Sequence, residues 1–157
     1  MNGSDIPVGH WFAVLTQRYY TQILHRMKVY DLDRWFAVLV AVAESDGRMS
    51  QQDIAQQLMM DKVSMVRAID FLSSKGYLER VNCPDDRRKH HIRLLPKAKP
   101  VVIAIKKAYA EVNALILGPM TENASSRFIK DIQGMLERMP TDGMRPARLN
   151  YTKKLPK

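Results

Sequence analysis

Lys62, Ser64 and Arg67 fall within six positions of one predicted helix, and Asp86-Arg87-Arg88-Lys89 follow in a polar turn. Cations and hydroxyls so spaced can bond phosphate oxygens and the donor and acceptor edges of bases. Ser50 and Gln51, opening the short helix before Lys62, complete this candidate set. Asp86 repels phosphate, so its sensible role is to hold Arg88 or the turn backbone. An ordinary solvated helix face is the plain alternative for Lys62, Ser64 and Arg67 alone; the basic turn behind them favours a binding surface.

Other chemistries find less support. His90 and His91 are neighbours on a predicted strand and point to opposite faces, so they do not share a metal easily. His10 and His25 have no cysteine or carboxylate at ligand spacing. Cys83 lies beside the basic turn, where a lowered thiol pKa would let it sense oxidants; an unremarkable exposed thiol is the simpler reading. There is no phosphate loop, no supported Ser-His-Asp order and no pair of carboxylates in an apolar setting. Neither catalysis nor a metal or other cofactor is expected.

The charge distribution sharpens this picture. The 157 residues hold 25 Lys and Arg against 16 Asp and Glu, net +9. Residues 1–74 are net −1 and residues 100–137 neutral, whereas residues 75–99 and 138–157 each carry +5. Positive charge gathered in two short segments is the footprint of a polyanion partner; a basic surface kept for solubility is the bland alternative. A single cysteine forms no internal disulfide. The apolar run from Trp35 to Ala43 is too short to span a bilayer, and Asp5 and His10 interrupt any leader pattern. A cytoplasmic protein without a membrane partner is expected.

The positioning elements follow from periodicity. Val8, Trp11, Leu15, Tyr19, Ile23, Met27 and Tyr30 make one apolar stripe and predict a helix over 8–30. Asp31 and Asp33 mark a break before a helix over 34–44 that is apolar almost all round. Ser50 to Asp53 resembles a capping box, with Ile54, Ala55 and Leu58 behind it. Met59 and Met60 turn the chain, Asp61 caps the next helix, and Met65, Val66, Ile69 and Leu72 face inward until Gly76. The period then becomes two, giving strands over 77–81 and 90–94 as a hairpin. Pro96 and Pro100 suit the opening of a long helix carrying Val101, Ile105, Ala108, Val112 and Leu115 inward. Thr121 opens a last helix with Phe128, Ile132, Met135, Leu136 and Met139 on one side. The expected fold class is mainly α with a small β-hairpin wing, a winged helix-turn-helix.

These residues carry a family resemblance. Asp61 to Leu72, then Lys75-Gly76-Tyr77-Leu78-Glu79-Arg80, resembles the core of MarR-type regulators, and Asp86-Arg87-Arg88 resembles their Asp-x-Arg wing motif. The likeness is detailed over residues 48–99. It implies a homodimer built by terminal helices, a winged domain that binds double-stranded DNA, and in many members repression relieved by a small aromatic or anionic effector. It also gives Asp86 its wing-supporting role. Two departures stand out: Leu94-Leu95 and Lys99 replace a usual Leu-Thr and Gly, and Val63 and Val66 occupy recognition-helix positions often hydroxylated or small.

The expected organisation is therefore a DNA-binding region over 31–96, dimerisation helices over 6–30 and 97–139, and a basic tail over 140–157. Terminal helices serving a dimerisation layer complete the fold expectation. Trp11, Tyr19 and Trp35 are candidates to line an effector cleft, against the alternative that they fill core. In the tail, Arg145, Arg148, Lys153, Lys154 and Lys157 suit a phosphate backbone, while Leu149 and Tyr151 suit a partner subunit. The function expected is sequence-specific transcription regulation, as a ligand-responsive repressor; the alternative is a winged-helix module that binds a protein or an anionic surface.

Overall fold

The structure, a computed structural model, describes residues 7–82 and 90–140. Its elements are α1 (Val8–Arg26), α2 (Phe36–Glu44), α3 (Gln51–Gln57), α4 (Lys62–Ser74), β1 (Leu78–Asn82), β2 (His90–Leu94), α5 (Ala98–Leu117) and α6 (Glu122–Glu137). Mainly helical, with one two-stranded hairpin, this order is a winged helix-turn-helix.

The described residues between 19 and 112 form one compact unit, and residues 7–18 with 113–140 form a second. In the first, Ile23 near the end of α1, Met27 just beyond it, and Val101 and Ile105 from α5 are buried, as are Leu39, Ile54, Met65, Leu72 and Ile92. That unit is wider than the expected 31–96 region because these flanking residues share its core cluster.

β1 and β2 pair antiparallel, with Leu78 opposite Leu94 and Arg80 opposite Ile92. On its other edge β2 receives the chain ahead of α3: the Ile92 N–H donates to the Met49 carbonyl at 3.0 Å, and Ser50 bridges His91. Leu95 N–H donates to Tyr77 O at 2.9 Å, closing the open end of the hairpin. β2 is therefore bonded along both of its edges, to β1 on one and to the chain ahead of α3 on the other.

Local chemistry explains most boundaries. Ser50 and Asp53 form the reciprocal capping box of α3, and Thr121 accepts from Ala124 N–H to start α6. The chain leaves α4 through Gly76, at φ +72°. There Tyr77 N–H reaches Leu72 O and Gly76 N–H reaches Ser73 O, the paired bonds of a Schellman ending.

Several expectations are corrected. α1 stops at Arg26 instead of Tyr30, because Leu32 is fully buried and the chain must turn inward to place it. Tyr30 N–H bonds Met27 O and Leu32 N–H bonds Tyr30 O in that turn, while Asp33 takes a left-handed φ of 50° that aspartate tolerates. α2 begins at Phe36 after Trp35, with no side-chain cap, so neither aspartate starts it. On α4, Ala68 takes the buried place expected of Val66, which is half-buried. Leu115, expected to face inward, is exposed.

In the second unit, Trp11, Phe12 and Leu15 of α1 are exposed. No residue of α6 is buried, and Ile129, Leu136 and Met139 stand in solvent. Phe128 and Ile132 are half-buried and Met135 and Leu136 exposed, so this amphipathic helix lacks the full burial that ordinarily stabilises such a helix.

Candidate nucleic-acid interface

The helix-turn-helix places α4. Leu58 caps α3 and Met59, at φ 49°, turns the chain. Asp61 then caps α4, accepting from Ser64 N–H at 2.9 Å and from Ser64 Oγ at 2.6 Å. Met65, Ala68, Ile69 and Leu72 are buried, and helical geometry sets Val63, Arg67, Asp70 and Ser74 on the opposite side. Lys62, Val63, Arg67 and Asp70 are exposed. Neither Lys62 nor Arg67 has a carboxylate partner among the described residues.

Asp70 puts a negative charge on this face, and Arg80 answers it. The Arg80 guanidinium on β1 donates to Asp70 Oδ1 at 2.6 Å and to Gln51 Oε1 at 3.4 Å, joining β1, α4 and α3. Sequence reasoning missed Arg80, since its partners lie on other elements and no spacing rule connects them.

The candidate residues divide accordingly. Lys62 and Arg67 share the exposed surface of α4. Ser64 commits its hydroxyl proton to Asp61 and Ser50 accepts from Asp53 N–H at 3.2 Å, so both order helix starts. Gln51 is half-buried and accepts from Arg80. Asp86, Arg87, Arg88 and Lys89 lie outside the described residues, as do Cys83 and the tail cations Arg145, Arg148, Lys153, Lys154 and Lys157.

Much of the described positive charge between residues 75 and 99 has internal work. Lys75 pairs with Asp31, Arg80 with Asp70, and Arg93 with Glu79 directly across the hairpin at 2.7 Å. Lys97 donates to Lys75 O at 2.8 Å and sits 4.7 Å from the Tyr77 ring centroid. On α4 and the hairpin, Lys62 and Arg67 are thus the described cations left without such partners.

Of the aromatic candidates, Trp11 is exposed in the second unit. Trp35 is buried in the first, with the Arg34 guanidinium 4.7 Å above its ring. Tyr19 is half-buried and stacks on Tyr109 with centroids 6.4 Å apart. Burial raises the pKa of both phenols, with a further contribution from the adjacent tyrosines. Among the described residues no cluster of three or more His, Cys, Asp or Glu could hold a metal ion. No described helix is long and apolar enough to cross a membrane.

Residues 32–89 match the model of the MarR family, whose members are transcription regulators and not enzymes. The fold extends the likeness. A putative MarR family transcriptional regulator from Listeria monocytogenes, solved with 26mer DNA, superposes with a TM-score of 0.82 at 17% identity, over 91% of this chain and 99% of that one. The S. aureus MepR–DNA complex gives 0.79 at 15% identity, over 86% and 100%. The PcaV transcriptional regulator from Streptomyces coelicolor, solved with its natural ligand, gives 0.73 at 22% identity, over 87% and 96%.

Proposed function

We propose that this chain, with a MarR-family winged helix at its centre, is a sequence-specific DNA-binding transcription regulator that acts as a homodimeric, ligand-responsive repressor in the cytoplasm. The carrying observation is the outward face of α4. Arg67 stands exposed opposite the row that anchors the helix to the core, and Lys62 is exposed at the head of the same helix. Such a helix fits the major groove, where Arg67 reads a base edge and Lys62 meets phosphate. Ser50, Gln51 and Ser64 support this surface, and Arg87, Arg88 and Lys89, steadied by Asp86, reach the flanking backbone or minor groove.

The incompletely buried stripe of α6 favours a second copy of the chain as its partner. On this reading residues 31–96 carry DNA recognition, helices within 6–30 and 97–139 carry dimerisation, and residues 140–157 add non-specific affinity. The effector is a small aromatic or anionic molecule, for which Tyr19 and Trp35 are the candidate contacts within the first unit; the ligand-bound PcaV relative supports an effector by analogy.

Selection of duplexes from random DNA by the full chain tests the reading. It should enrich a pseudo-palindrome with half-sites about 10 base pairs apart. With about 6–10 phosphate contacts, affinity should fall roughly 10³–10⁵-fold between 50 and 200 mM salt. Arg67→Ala should relax preference at one base by about 1–3 kcal/mol. No preference among duplexes at physiological salt would reject the reading.

A further inference from the structure

Val63 is the residue on the outward face of α4 that neither the core nor the charge pattern explains. It is 60% exposed one residue after Lys62, and one helical turn before Arg67 on the same side. It caps nothing: Asp61 and Ser64 share that task. A β-branched residue also gives a helix less local stability than alanine or a polar straight chain would. An isopropyl group between two exposed cations fits a polyanion that carries an apolar spot of its own.

The major groove has one such spot, the C5 methyl group of thymine, beside the polar edges suited to Arg67. Side chains four residues apart on a helix are about 5–6 Å apart, and stacked bases of one strand about 3.4 Å apart. Val63 and Arg67 thus reach positions on the order of two base steps apart. We propose that Val63 is a specificity-determining residue that packs against a thymine methyl, about two base pairs from the base read by Arg67. This inference rests on the DNA-binding reading and adds the base class that the head of α4 selects.

The test uses the full chain and the duplex most enriched from a random pool, with each thymine replaced singly by deoxyuridine, which removes the methyl and keeps every hydrogen-bonding group. One thymine in each half-site should lose about fourfold in affinity on replacement, the worth of one buried methyl group. Val63→Ala, which removes the contact from both half-sites of the dimer, should lose about sixteenfold, two such factors, on the thymine duplex and become indifferent to deoxyuridine at that position. Its thermal unfolding should be no lower than the parent's, since the side chain is exposed and alanine favours the helix. Tolerance of every deoxyuridine by the parent protein overturns the inference, as does a deoxyuridine penalty of full size in Val63→Ala. In either case the enriched duplex leaves the DNA-binding reading standing. Enrichment of no duplex overturns that reading, and this inference with it.

Discussion

The Arg80 guanidinium and the Asp70 carboxylate meet at 2.6 Å, tying the first strand of the hairpin to the outward side of the helix-turn-helix. The pair neutralises the described carboxylate set between Arg67 and Ser74 on that face. Arg80→Ala should therefore weaken binding to all duplexes, and adding Asp70→Asn should recover part of the loss. Both side chains are partly exposed, so the change in unfolding free energy should stay below about 1 kcal/mol. Titration of DNA binding by the two variants checks this; full affinity in Arg80→Ala would deny the pair its electrostatic role.

Gly76 ends α4 at φ +72°, and a Cβ built there meets nothing within 4 Å. Gly76→Ala should then cost about 1–2 kcal/mol through backbone conformation alone. Gly9 is also sterically free but lies in the first turn of α1, where Gly9→Ala should stabilise by up to about 0.5 kcal/mol, less than at mid-helix. Chemical denaturation of the two variants should show opposite signs.

Leu136 is 60% exposed on α6, a helix with no buried residue. If α6 packs on a second copy, Leu136→Glu should yield a monomer by sedimentation while helical circular dichroism is kept. A dimer of unchanged strength would place the interface elsewhere.

Burial, then the charges of Tyr20 and Tyr19, pushes the Tyr109 phenol well above its ordinary 10.0. The folded protein resists forming this phenolate, whereas the unfolded chain ionises it near the ordinary value. The stability associated with the shift is complete below that value and lost as pH rises above it. Denaturation midpoints measured from pH 8 to 11 should fall at the alkaline end, and Tyr109→Phe should flatten the fall.

Local signals made much of this fold legible. The Ser50–Asp53 box, the Asp61 and Thr121 caps and the Gly76 ending each rest on bonds between residues a few positions apart. The end of α1 was hidden because its apolar stripe runs on through Met27, while burial of Leu32 decides where the helix stops. The first residues of α2 were hidden likewise, since Trp35 offers no side-chain cap. At the candidate interface, Lys62 and Arg67 were readable from helical spacing. Arg80 was not, because two different tertiary partners define its work.

The doubly bonded edge of β2 has a mechanical consequence. Ile92 is fully buried, paired with β1 on one side and with Met49 on the other. A tilt of the hairpin base cannot be absorbed by local bending without opening these backbone bonds in a dry setting, which is costly. Torque applied at the hairpin is thus delivered to Ser50 and the start of α3, turning the two as a single lever. The Ile92 amide should accordingly be among the slowest to exchange its hydrogen with solvent, released only when that lever comes apart.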